Sequence, residues 1–197
     1  EAEAREMEPN VRTYEKALYS PSTASVDPGT VCSALAESLK RDNVSILLGH
    51  EFKDREGSSV VTQAGKLEVG TLINCAGLYA DKVARAYGIG EQYLMLPFKG
   101  IYLKWKGEQP PVRMNIYPVP NLNHPFLGVH FTITADGHAK IGPTAIPAFW
   151  RENYSGASRF KPSEACQVLW NEANLFLRNS FGFRDLAFEE MRKYRKS

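Results

Sequence analysis

The sequence predicts a mixed α+β fold, and three observations carry the prediction. Apolar runs of strand length, residues 44–48 and 71–74, alternate with segments at helical period, 28–41 and 163–178. The turn pairs Glu56-Gly57 and Ala64-Gly65 cut residues 51–69 into short pieces suited to an antiparallel meander. Between Tyr93 and Pro143, prolines and glycines separate strand-like stretches. That texture suits an antiparallel sheet with one packed face and one face free to line a cavity.

In chain order, residues 1–8 read as a helix tail broken at Pro9, and 14–19 as a strand before the turn-rich 20–23. Asp27-Pro28 supplies an N-cap followed by proline at the first helical position. The helix over 28–41 places Val31, Leu35 and Leu39 on one stripe, and Asn43 closes it. A buried strand is expected at 44–48, then the meander. A second buried strand at 71–74 delivers Ala76-Gly77 to a helix starting near Tyr79. Further strands are expected at 94–97, 100–105, 115–119, 127–133 and 139–143. Ser163 reads as the cap of a long helix with Cys166, Leu169, Trp170, Ala173 and Phe176 at helical spacing. Residues 183–196 read as a charged helix. The change of texture divides the chain into 1–92 and 93–197.

Composition narrows the function classes. Hydrophobic residues make up 43% of the 197 and charged residues 23%, as in ordinary soluble domains. Lys and Arg total 24 against 22 for Asp and Glu, a net charge of +2 that leaves no nucleic-acid footprint. No apolar run approaches the roughly 20 residues of a membrane-spanning helix, and the acidic start has no signal-like stretch. Cys32, Cys75 and Cys166 are scattered, which reads as buried, reduced thiols with neither disulfide nor metal site. A cytoplasmic setting follows as the expectation.

Three segments carry chemistry. In Leu72-Ile73-Asn74-Cys75-Ala76-Gly77-Leu78-Tyr79-Ala80-Asp81 an apolar strand runs into a glycine that lets backbone come close to a ligand. Helix-start N–H groups beyond it can face a phosphate; a tight turn for steric reasons alone explains the same residues. The second segment is Pro97-Phe98-Lys99-Gly100-Ile101-Tyr102 followed by Asn115-Ile116-Tyr117-Pro118-Val119-Pro120. The third is Pro125-Phe126-Leu127-Gly128-Val129-His130-Phe131-Thr132, then Asp136-Gly137 and Gly142-Pro143-Thr144-Ala145.

In this order and spacing, over about residues 8–191, the segments resemble FAD-dependent oxidoreductases of the D-amino-acid-oxidase-like superfamily. The resemblance is closest to the L-2-hydroxyglutarate dehydrogenase/oxidase branch. It implies that 1–92 is the middle part of an FAD-binding domain, a partial α/β layer, and that 93–197 is a substrate-binding domain with flanking helices. Its implied reaction is oxidation of L-2-hydroxyglutarate, or a related short 2-hydroxy acid, to the 2-keto acid. Electrons would pass through FAD to a quinone or oxygen, in the cytoplasm or peripheral to the inner membrane. The chain departs from the pattern in two places. It holds no Gly-x-Gly-x-x-Gly to seat the FAD pyrophosphate, and it stops before the C-terminal Gly-Ile/Val-Arg segment. It is therefore expected to be a fragment that binds FAD weakly or not at all. A non-catalytic module holding a small acid or a partner is the alternative.

The resemblance also implies roles. His130 is the expected base or hydroxyl partner, because histidine titrates near working pH; a hydrogen-bonded sheet histidine is the plainer reading. Tyr102 and Tyr117 could donate to a carboxylate or simply be core aromatics. Lys99 stands where relatives carry arginine, which would turn a bidentate carboxylate contact into a point charge; a solvated loop lysine fits equally. Phe52 is expected toward the adenine, Ala76, Gly77 and Leu78 toward the pyrophosphate, and Gly142, Pro143 and Thr144 toward the flavin; a turn role fits Thr144 equally. His50, His124 and His138 read as surface residues.

Overall fold

The computed structural model describes the backbone of residues 1–120 and 128–193, with side chains through Phe188. His124 and the Pro125-Phe126-Leu127 start of the third segment lie outside the described residues, as do 194–196 of the last helix. The elements are α1 (Ala2–Met7), α2 (Pro28–Arg41), β1 (Phe52–Glu56), β2 (Ser59–Thr62), β3 (Gly65–Glu68), α3 (Ala80–Ala86), β4 (Phe98–Lys104), β5 (His130–Ile133), β6 (Ala139–Pro147), α4 (Pro162–Arg178) and α5 (Phe183–Lys193). The mixture of helices and antiparallel sheets is the α+β class that the sequence predicts. Two compact units share them. One comprises Glu1–Glu37, Phe98–Ile146 and Glu189–Ser197, the other Ser38–Pro97 and Pro147–Phe188. The second unit thus draws residues from both sides of position 92.

The first unit is built on a three-stranded sheet in the order β4-β6-β5. β5 and β6 are antiparallel, with His130 opposite Gly142 and Thr132 opposite Lys140. On the other side of β6, the Trp105 N–H donates to the Ala139 carbonyl at 2.9 Å. Ala139, Ile146 and Val112 are buried. So is Glu8, whose carboxylate accepts the N–H groups of Asn10 (3.1 Å) and Arg113 (2.5 Å); a buried charge needs such donors. Residues 115–119 do not form the expected strand, because Ile116 alone bridges to Phe131 and Pro118 has no N–H to continue a ladder. Residues 14–19 also fail to pair. Tyr14 bridges only to Lys16 across Glu15, whose φ is +60.

A side chain on Gly142 would collide with its neighbours: the Cβ would lie 2.7 Å from the Ile101 carbonyl oxygen and 2.7 Å from the Tyr102 ring. Backbone cannot yield as a flexible side chain can. Gly142→Ala is expected to destabilise this unit by about 1–3 kcal/mol, read from urea unfolding.

The second unit contains the meander, in the order β1-β2-β3 with both pairs antiparallel. Gly57 at φ +61 makes the first turn, the positive φ that short hairpins demand. Val60, Val83, Ala148, Trp150, Ala165 and Val168 are buried.

Several expectations fail for a shared reason: a strand or buried stripe is completed by a distant partner. Residues 44–48, 71–74 and 94–97 carry no ladder, and Leu48 and Ile73 are 85% and 81% exposed. No described segment pairs alongside them. The Val31-Leu35-Leu39 stripe is exposed, and α2 buries no residue, although Asp27 caps it, accepting the Thr30 N–H at 2.7 Å. On α4, Lys161 is the N-cap and Pro162 opens the helix, so Ser163 is not the cap. Its buried residues are Glu164, Ala165 and Val168, whereas Leu169 and Trp170 are exposed. The ion pair from Lys82 to Glu164 at 3.0 Å turns that face inward. All three cysteines are exposed, not buried.

Candidate functional site

The first unit gathers four chemically able side chains on one sheet face. Alternate residues of a strand share a face, so His130 and Thr132 on β5 stand with Gly142 and Lys140 on β6. Tyr102 of β4 packs against Gly142, and the Lys140 ammonium lies 4.7 Å from the Tyr102 ring centroid. Tyr117 stacks on His130, with ring centroids 4.6 Å apart and planes 30° from parallel. His130 Nδ1 is 2.9 Å from the Gly128 carbonyl. A carbonyl only accepts, so Nδ1 carries the proton and Nε2 presents a lone pair. Stacking and hydrogen bond together fix the ring.

Next to this face lies a cleft of about 760 Å³, lined by Tyr117, Thr132, Asn115, Lys140 and the 24–28 segment, with Thr30, Thr134, Ala135 and Asp136. The lining segment is pinned through Ser25, whose hydroxyl donates to the Ile133 carbonyl at 2.5 Å, while Asn115 accepts the Ile133 N–H at 2.7 Å. Lys140 is the cation among the lining residues, and two carboxylates accompany it. Hydrogen bonds from Thr30 hold Asp27 below the ordinary carboxylate range. The Thr134 hydroxyl does the same for Asp136. An acidic ligand in this cleft would find Lys140 as its cation, against the two carboxylates of Asp27 and Asp136 in the same lining.

Of the residues expected from sequence, His130, Tyr117 and Tyr102 therefore come together. Lys99 is half-buried on β4. Gly142 is enclosed by Tyr102 and the Ile101 carbonyl, so its missing side chain serves sheet packing; Pro143 and Thr144 are half-buried on β6. Lys140 was missed. Its signal was available, since it precedes Gly142 by two residues and so shares its face. His138 is exposed and His50 half-buried.

In the second unit, Phe52 is half-buried at the start of β1, opposite Thr62. Ala76, Gly77 and Leu78 form the turn into α3. Gly77 is exposed, has φ +53, and an added Cβ there would meet nothing within 4 Å. The backbone at Gly77 is therefore open to the approach of a phosphate-sized group, as FAD would require, an openness it shares with other exposed glycines of the chain. The Ala76 N–H is already engaged by the Asn74 side chain at 3.2 Å. Beneath the turn, Arg151 donates to the Leu78 carbonyl and makes a two-pronged pair with Asp81 at 2.6 and 2.8 Å. The Tyr79 hydroxyl donates to Glu152 at 2.7 Å.

Among the described residues no cluster of metal-ligating side chains occurs, and no helix is long and apolar enough to cross a membrane.

Comparison with known proteins identifies the family. Residues 1–189 match the model of the FAD dependent oxidoreductase family, DAO. The chain is 37% identical to an L-2-hydroxyglutarate dehydrogenase of Caenorhabditis elegans, named as mitochondrial, over 83% of this chain and 40% of the relative. An Indibacter alkaliphilus protein named L-2-hydroxyglutarate dehydrogenase is 39% identical over 78% of this chain and 40% of its own length. That of Escherichia coli K12 is 35% identical over 85% and 40%. The chain thus spans about two fifths of the length of these relatives. The aligned stretch takes in both the Gly77 turn and the His130 face, and on that footing the chain belongs to the FAD dependent oxidoreductase family.

Proposed function

We propose that the whole protein oxidises L-2-hydroxyglutarate, or a short 2-hydroxy acid like it, to the 2-keto acid, and that this chain supplies the substrate wall and part of the flavin seat. The observation that carries the reading is the His130–Tyr117 stack sharing a sheet face with Lys140 and Tyr102 beside a cleft. Bound FAD would supply the acceptor for the hydride leaving C2, with a quinone or oxygen as the final acceptor.

The side chains divide the remaining work. His130 takes the hydroxyl proton at Nε2, because Nδ1 is committed to Gly128. The imidazolium that forms faces the Tyr117 ring, whose π-face stabilises a cation. Lys140 attracts a substrate carboxylate, and the Tyr102 ring under its ammonium holds it in place. Tyr102 and Tyr117 offer hydroxyl donors to the same substrate, whereas Lys99, three residues from Tyr102 on β4, falls on the opposite face of the strand. For the cofactor, the Gly77 turn with Ala76 and Leu78 would meet the pyrophosphate and Phe52 the adenine. Gly142, Pro143 and Thr144 would form the flavin-side edge of the sheet.

The test is direct. Under anaerobic conditions, L-2-hydroxyglutarate should bleach the yellow flavin band of the whole protein and yield one 2-oxoglutarate per flavin. A bound flavin left oxidised by the L-acid would remove this substrate assignment.

A further inference from the structure

We propose that Arg151 is a positioning residue for the flavin diphosphate, acting through the turn at Gly77. The inference rests on the reading of that turn as a pyrophosphate contact. It goes beyond that reading by assigning the turn's shape to a residue more than 70 positions away in sequence.

Three observations carry it. Arg151 is buried, at 5% exposure, and its guanidinium is spent on one short stretch: the Leu78 carbonyl and both oxygens of Asp81. The planar fork suits a bidentate carboxylate while its other N–H directions reach a carbonyl, which a lysine cannot do at once. Gly77 is exposed, in left-handed backbone, with open space over its Cα, and Asn74 braces the turn from its other side, accepting the Ala76 N–H at 3.2 Å and donating to the Ala80 carbonyl at 2.8 Å. A glycine turn is conformationally permissive, so contacts from outside it add to the Tyr79–Ala76 backbone hydrogen bond in fixing the direction of its amides. Arg151 holds the residue after Gly77 and the first turn of α3 together, and the Arg151 charge also lies 5.6 Å from the Tyr79 ring centroid between them. Tyr79 is tied in turn to Glu152, the next residue after Arg151. The arginine therefore ties Leu78, Tyr79 and Asp81 together at the end of the turn, beside the Asn74 brace, without touching a ligand itself.

The experiment compares FAD with riboflavin, which lacks the diphosphate, in titrations of the whole apoprotein, and follows amide exchange over residues 76–82. Arg151→Met should weaken FAD at least about tenfold, the scale of one lost charge-assisted hydrogen bond, while riboflavin affinity holds. Exchange at the turn should rise with it. Arg151→Lys should restore part of the FAD affinity. If Arg151→Met does not fold, Asp81→Asn decides instead, because it keeps hydrogen-bonding capacity and loses charge; it should shift FAD in the same direction and spare riboflavin. Equal loss for both flavins, or no loss for either, overturns the proposal. Gly77→Val separates the underlying reading: a β-branched side chain is strained at positive φ and fills the open space. Should Gly77→Val leave FAD binding intact, the turn is not the diphosphate contact. Should it weaken FAD while Arg151→Met does not, the turn stands and Arg151's role falls.

Discussion

His130→Ala in the whole protein should lower kcat for 2-hydroxyglutarate oxidation by about 100-fold to 10,000-fold, the range for removing a positioned general base. KM should move far less, because in the proposed mechanism the substrate carboxylates are held by other groups, Lys140 first among them. The geometry explains why one ring carries so much. The Gly128 carbonyl fixes the tautomer at 2.9 Å and Tyr117 fixes the plane at 4.6 Å, so the ring plane and its Nε2 lone pair are set in advance of the proposed proton transfer. Tyr117→Leu should therefore cost part of the same kcat, with the two losses less than additive, since both act on one ring. His130 is half-buried at the first residue of β5, so unfolding of the variant by urea should stay close to that of the parent. Turnover unchanged by His130→Ala would remove it from the mechanism.

What the sequence made legible was local. Asp27 before Pro28 announced α2, and Glu56-Gly57 with Ala64-Gly65 announced the meander, because caps and tight turns are set by a few adjacent residues. The His130 face was legible for a related reason: strand period assigns faces once β5 and β6 are placed, and Lys140 needed only that step. What stayed hidden depended on remote partners. Nothing local to α4 says that Glu164 turns inward, since Lys82 lies on α3. The apolar stretches 44–48 and 71–74 look like buried strands, but ladder pairing is a property of two segments, and neither stretch forms a ladder with a described segment. Arg151 sits in Ala148-Phe149-Trp150-Arg151. An arginine closing an apolar run was the one hint that a buried charge would need a partner.

That partner makes the second large prediction. Asp81→Ala should destabilise the unit containing it by about 3–5 kcal/mol at neutral pH, because it leaves the Arg151 charge buried and unpaired. The Asp81 and Arg151 side chains are 9% and 4% exposed, so solvent offers little relief. Arg85, 3.4 Å from Asp81, would lose a partner as well. The pH dependence has a definite sign. Burial pushes the Asp81 carboxyl upward, but the hydrogen bonds and charge of Arg151, helped by Arg85, outweigh it and hold the group below its ordinary 3.8. A carboxylate depressed in the native state stabilises it above the unfolded value and ceases to do so as pH falls through the native one. The stability gap between the parent and Asp81→Ala, measured by urea unfolding, should therefore be fully open near neutrality. It should begin to narrow as pH drops below 3.8 and close once pH has fallen through the lower native value, where both proteins carry an unpaired Arg151. A gap that persists unchanged into acid would mean that Asp81 contributes packing rather than charge. The ordering of the Gly77 turn would then have to be sought in the Tyr79–Glu152 hydrogen bond instead.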